Sequence, residues 1–311
     1  MIAESTSSTR HPFVSLLGLF LWVALGMIIF TVLGIIACGV IFGFGDILNI
    51  NKGVGSNINA LKLVQLFSSI GTFIVPAFVF AKQESKDSFE YLNLNKRTDL
   101  LILISAVVIF FSFTPFIEWT IVQNSKMKLP GFLSDLEIWM RQKEDEMAVL
   151  TRQFLIMKSP SDLLINLLII AIIPGIGEEL LFRGCLQKIL SKWTKNYHLG
   201  IWLAAVIFSA IHVQFYGFIP RMLLGALFGY LFHWGKNLVI PMIAHSINNG
   251  TAVIGAFILQ KNGESLDKID EQNSYPLYVA ILSFIVGVGL LALFKSQLEK
   301  KSIGNQTGTD V

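Results

Sequence analysis

Charge is what this chain has least of. Asp, Glu, Lys and Arg make up 14% of its 311 residues, against about a quarter in an ordinary soluble domain. That scarcity excludes a water-soluble globule. The net charge of +3 is too small and too dispersed for a nucleic-acid partner. Cysteine is nearly missing. Cys38 and Cys185 both lie in apolar segments, which excludes a disulfide framework and a CxxC metal site. There is no HExxH pattern, no internal repeat, and no extramembrane stretch long enough for a second domain.

What is present is apolar. Hydrophobic residues reach 53%, 25 of them Phe, and mean hydropathy is +0.64. Several runs of about 20 residues carry almost no charge, the length that crosses a bilayer as helix. The pattern predicts an all-α polytopic membrane protein, a bundle of about eight transmembrane helices near 13–44, 60–81, 99–123, 162–187, 199–215, 219–234, 238–260 and 275–294. Pro76, Pro115, Pro174 and Pro241 fall inside these spans, where neighbouring helices can satisfy the carbonyls that proline frees. The first apolar run is too long for a signal-peptide core and reads as an uncleaved membrane helix.

The organisation expected is therefore a short N-terminal segment (1–12), three membrane helices (13–123), an outer loop (124–161), a helical core (162–260), a last loop and helix (261–294), and a disordered tail (295–311). With the N-terminus inside, the inner segments hold 12 Lys and Arg, and the short outer loops hold 4: Lys52, Arg221, Lys261 and Lys268. The long outer loop adds six but weighs less. Both termini are thus expected to be cytoplasmic. Within the long loop, 132–155 carries Leu133, Leu136, Met140, Met147, Leu150 and Phe154 at helical spacing. This predicts a helix that docks on the bundle through one face, or alternatively an interfacial helix over the mouth of a cavity.

The informative residues are the polar ones inside these spans. In "PGIGEELLFRGC" (174–185), Glu178, Glu179 and Arg183 sit where each charge costs about 2.5–3.5 kcal/mol on insertion scales. Glu179 and Arg183 are i and i+4, on one face, and can pair. Glu178 lies about 100° round the helix from Glu179 and lacks that partner, and a carboxylate in an apolar cavity suits proton transfer. Further on, "FSAIHVQF" puts Phe208 and His212 one turn apart, and "AHSINNG" does the same for His245 and Asn249. Helix rise places Glu178, His212 and His245 in one layer of the inner-to-middle membrane. Gly225 and Gly229 form a GxxxG pair suited to close packing. Arg221, after Pro220, either snorkels to the outer interface or turns inward to a carboxylate. His233 reads as an interface residue beside Trp234; His11 and His198 carry no signal.

These three stretches resemble the motifs of the CAAX protease and bacteriocin-processing (CPBP, or Abi) family of intramembrane endopeptidases: EExxxR, FxxxH and HxxxN on successive membrane helices. The resemblance covers about residues 160–255. It implies a cavity that opens towards the cytosol and hydrolyses peptide bonds. Glu178 would be general base on a water that His212 helps to hold, and His245 and Asn249 would stabilise the oxyanion. Glu179, Arg183 and Phe208 would support the site. The resemblance favours no cofactor and no metal. Zinc held by Glu178, His212 and His245 is the alternative, without an independent ligand motif behind it. The implied partners are the bilayer and a peptide or membrane-anchored protein, prenylated in a CAAX reading, with no nucleic acid. A bacterial plasma membrane is expected. A non-catalytic peptide-binding or immunity protein is the second reading. A solute or proton transporter is the third, weakened by the missing inverted repeat.

Overall fold

Long apolar runs must satisfy their own backbone in lipid, so they become helices. The computed structural model describes residues 10–43, 57–269 and 275–307, and among these there is no strand. The helices are α1 (Pro12–Phe42), α2 (Ile58–Glu84), α3 (Leu100–Ser125), α4 (Ser134–Phe154), α5 (Pro160–Thr194), α6 (Tyr197–Ala210), α7 (Phe218–Gly235), α8 (Val239–Lys261) and α9 (Leu277–Thr307). All but α4 and α6 are long and apolar enough to cross a bilayer, giving seven candidate spans among the described residues. The chain is an all-α integral membrane protein.

The difference from eight spans lies in α6. Its 14 residues reach about 21 Å, short of a hydrocarbon core of about 30 Å. The helix stops at Ala210, and Val213 turns the chain back with φ of +53°. His212 therefore sits in the turn beyond α6, not on it, and α6–α7 is a hairpin. At the other end, α9 continues through 295–307, where a disordered tail was expected. Lys52 and residues 308–311 lie outside the described residues.

Each in-span proline finds a distinct solution. Pro220 and Pro241 fall in the first turns of α7 and α8, where an N–H would have no helical acceptor anyway. Beside Pro115, the Ser283 hydroxyl of α9 accepts from Phe116 N at 3.2 Å and donates to Ser112 O at 2.6 Å. It is inserted into a single rung of α3 and ties the two helices together. Pro76 follows a π-helical turn at Ile70–Ile74. Pro174 lies between two more π stretches in α5, Leu167–Ile172 and Leu180–Leu186.

Hydrogen bonds sort the chain into two ends. At one, Lys192 Nζ donates to Arg10 O at 3.1 Å, Lys188 Nζ to Asn93 Oδ1 at 2.6 Å, and Asn237 Nδ2 to Lys96 O at 2.6 Å. At the other, Arg152 pairs with Asp267 at 3.6 Å and Met157 N donates to Gln260 Oε1 at 2.9 Å. The cation-rich segments counted as inner thus gather at one end.

Helix α4 docks at the opposite end, on the α6–α7 tip. Trp139 meets Phe215 at 5.8 Å, Arg141 lies 4.3 Å from the Tyr216 ring centroid, and Glu144 Oε2 accepts from Tyr216 N at 3.4 Å. The Arg141 side chain and Leu129 N hydrogen-bond Glu137 and hold its carboxyl below the usual range. Of the apolar stripe expected, Leu133, Met140 and Phe154 are half-buried, while Leu136, Met147 and Leu150 stay exposed. The tip offers aromatic rings and a backbone N–H, which Trp139, Arg141 and Glu144 match better than aliphatic side chains do.

Helices α1 and α2 cross at glycine. A Cβ on Gly71 would lie 2.2 Å from Phe30 Cβ and 2.5 Å from Gly26 O, whereas one on Gly18 would meet nothing within 4 Å. Gly71→Ala is therefore expected to cost about 1–3 kcal/mol as overpacking, and Gly18→Ala close to nothing. Thermal melts of both variants in detergent check this; equal melting temperatures would contradict the packing.

Candidate active site

The site grows from a register between two parallel helices, α5 and α7. Arg183 Nη2 donates to Gly225 O at 2.9 Å, and one turn further on Gln187 Nε2 donates to Gly229 O at 3.1 Å. The glycine pair serves that approach and also seats α6: a Cβ on Gly225 would come 3.2 Å from Ala205 Cβ, and one on Gly229 2.7 Å from Ile201 Cγ2. Counting back one turn on both helices sets Glu179 level with Arg221.

Arg183 is buried, at 1% exposure, and Glu179 completely so. Arg183 Nη1 donates to Glu179 Oε1 at 2.6 Å, the pairing expected from their spacing. The same oxygen also lies 2.8 Å from His245 Nδ1. Aromatic faces close around the cation, with Phe208 centred 4.8 Å and Phe228 5.6 Å from the guanidinium carbon. Phe228 also stacks on His245 at 5.1 Å, and Phe208 meets both His212 and His245 edge-on. A guanidinium with a carboxylate, a carbonyl and two rings is well satisfied, which is what lets it stay in the bundle.

Helix α8 brings its residues in through a contact at Gly175, where a Cβ would lie 2.4 Å from Ser246 Oγ. His245 bridges the two glutamates. Its Nδ1 is on Glu179, and its Nε2 faces Glu178 Oε2 at 3.7 Å, beyond hydrogen-bond length. Sequence spacing had attached His245 to the surroundings of Glu178 alone, because the i, i+4 rule gives Glu179 a partner on its own helix and is silent about partners on others. Asn249, one turn beyond His245, donates from Nδ2 to Ile170 O at 3.3 Å. Ile170 lies in the π stretch that precedes Pro174, so irregular backbone on α5 meets the asparagine of α8. Asn248 Nδ2 donates to Asn249 Oδ1 at 3.0 Å and fixes the amide's orientation.

His212 Nδ1 lies 2.8 Å from Phe208 O. A carbonyl only accepts, so Nδ1 carries the hydrogen and Nε2 of the neutral ring keeps a free lone pair. His212 makes no hydrogen bond or ion pair to Glu178 among the described residues. Phe208 joins it to the rest by touching both histidines.

Among the described residues no three His, Cys, Asp or Glu side chains converge as a metal-ligand set. Two cavities, of about 290 and 570 Å³, lie at the cation-rich end, and neither is lined by Glu178, His212 or His245.

Sequence reasoning missed Gln187, Phe228, Gln214 and Asn248. Gln187 was legible as the next rung after Glu179 and Arg183, and Phe228 as the large residue inside the glycine pair. Nothing local singled out Gln214, which accepts from Arg221 at 2.7 Å.

Residues 160–251 match the family model described as type II CAAX prenyl endopeptidase Rce1-like. A protein of Bacillus subtilis (strain 168), "Uncharacterized protein YpbD", is 33% identical over 86 residues, which are 26% of this chain and 41% of that protein. The match thus spans under half the length of that relative. No solved structure matches. The matched segment holds every side chain of the cluster just described.

Arg183→Ala strands Glu179 and an orphaned carbonyl in the bundle, a loss of about 3–5 kcal/mol for a broken buried pair. The variant is expected to melt well below wild type in detergent, with Arg183→Lys in between. Unchanged melting of Arg183→Ala would contradict the pairing.

Proposed function

We propose that this protein is an intramembrane endopeptidase that hydrolyses a peptide bond in a membrane-associated peptide or protein by activating water with Glu178. The observation that carries the reading is the separation of the two glutamates. Glu179 Oε1 is taken by both Arg183 and His245, whereas Glu178 contacts no cation within hydrogen-bond distance among the described residues and keeps a side chain 13% exposed. The Rce1-like match over this segment supports a protease of the CAAX-processing kind.

The chemistry then runs through this chain's own residues. Glu178 takes a proton from water while the water oxygen bonds to the scissile carbonyl carbon. His212, with Nδ1 committed to Phe208 O, accepts a hydrogen of that water at Nε2. The negative charge that develops on the carbonyl oxygen is met by donors held in place beforehand, the arrangement that stabilises a tetrahedral intermediate. His245, oriented by Glu179 at Nδ1, presents Nε2 to that oxygen. Asn249 supplies its second amide hydrogen, the first being on Ile170 O. Collapse of the intermediate breaks the C–N bond, and Glu178 returns its proton to the leaving amine.

In this reading no metal takes part, and the chain lies with both termini in the cytoplasm, as the gathering of cations at one end supports. Helix α4 lies along the opposite interface, its exposed apolar residues towards lipid. A prenylated C-terminus and an unprenylated membrane-anchored peptide are both substrates this chemistry could serve.

Glu178→Gln is expected to abolish cleavage of a membrane-peptide library by purified protein while its chromatographic profile stays that of wild type. Residual turnover near the wild-type rate would refute the assignment of the base. Thorough chelation is expected to leave turnover intact; loss restored specifically by Zn²⁺ would favour the zinc alternative.

A further inference from the structure

Arg221 has no role in the chemistry above, and its half-buried guanidinium is held unlike that of Arg183. It turns inward from the first turns of α7. Its Nη2 donates to Gln214 Oε1 at 2.7 Å, while Nη1 is shielded from solvent and has no hydrogen-bond partner among the described residues. The guanidinium lies against Gly217, where a Cβ would come 3.1 Å from Nη2. It forms an ion pair with neither Glu178 nor Glu144 among the described residues. An unpaired guanidinium inside a bundle is costly, and the contrast with Arg183, whose nitrogens reach a carboxylate and a carbonyl, is sharp.

Its placement follows from the register of α5 and α7. The rungs Gln187–Gly229 and Arg183–Gly225 continue, one turn on, to the level of the glutamates, where α7 presents Arg221. The tip that holds it is strained. Val213 is a β-branched residue at φ +53°, a conformation such residues rarely adopt and one that clusters at ligand clamps. The hairpin tip thus carries His212 on one side of the strained residue and the Gln214–Arg221 pair on the other.

We propose that Arg221 binds a carboxylate of the peptide substrate, either its free C-terminus or an acidic side chain near the scissile bond, and so selects where the chain is cut. A guanidinium fork with one amino group fixed by Gln214 presents the other in a set direction, which suits a planar carboxylate. Pairing with a ligand rather than with Glu178 also leaves Glu178 free to act as base. This assignment rests on the peptide-hydrolysis reading, and the test separates the two.

The peptides of the membrane library are prepared as free acids, as C-terminal amides, and with Glu replaced by Gln. Their binding is measured on the Glu178→Gln protein and their cleavage on the active one. One carboxylate is expected to matter. Its removal should weaken binding by about tenfold or more, the size of one charge-assisted hydrogen bond. Which replacement has that effect identifies the source. The same comparison on Glu178→Gln/Arg221→Gln should show no discrimination, and on Glu178→Gln/Arg221→Lys a partial one. In the active protein Arg221→Gln should raise KM for the preferred peptide more than it lowers kcat, which a purely structural lesion would not do. Equal binding of all forms, discrimination that survives Arg221→Gln, or no peptide bound at all overturns the assignment. If all forms are cut equally, hydrolysis stands and the role of Arg221 falls. If nothing is cut but binding discriminates through Arg221, the carboxylate site stands and hydrolysis falls.

Discussion

The Arg183 guanidinium is the interaction on which the rest of this site depends. It ties Glu179 on its own helix to the Gly225 carbonyl on α7, beneath Phe208 of α6 and Phe228 of α7. Glu179 in turn fixes His245 of α8. Four helices that lipid alone would hold only through packing are therefore locked in register by one buried cation. Placing that cation in an apolar bundle is expensive, and a carboxylate, a carbonyl and two ring faces offset the cost. The glycines of α7 belong to the same requirement, since a side chain at Gly225 or Gly229 would push away the helices that meet there.

A second constraint comes from proline. Pro174 follows a π stretch of α5, and the Ile170 carbonyl within that stretch holds Asn249. The π stretches on either side of Pro174 accommodate the break and bring Glu178, Glu179 and Arg183 to the interior together. What looks in sequence like a helix-breaking fault within an apolar run is thus part of how the asparagine of a different helix is oriented. The same logic operates far from the site at Pro115, where Ser283 fills the disturbed rung. These broken rungs are filled by side chains from other helices, so local irregularity becomes tertiary specificity.

Much of this was legible in the sequence, and the reasons for success and failure are physical. Span positions followed from apolar length, and the Glu179–Arg183 pair from helical spacing. Three features were not legible. The end of α6 at Ala210 carries no glycine or proline signal, because Val213 takes the left-handed conformation instead. The tie of His245 to Glu179 crosses between helices, which no spacing rule reaches. The docking of α4 through Trp139, Arg141 and Glu144 follows what the hairpin tip offers, which a hydrophobic stripe does not convey.

The account rests on two adjacent glutamates having unlike duties, one holding the bundle together and the other free for chemistry. The most direct test is the melting temperature of Glu178→Gln and Glu179→Gln, prepared and measured in parallel in the same detergent. Glu179→Gln should melt lower by about 5 °C or more, as the broken buried pair requires, and Glu178→Gln should melt at or above wild type. Equal destabilisation by the two substitutions, or the reverse order, would contradict the division between them.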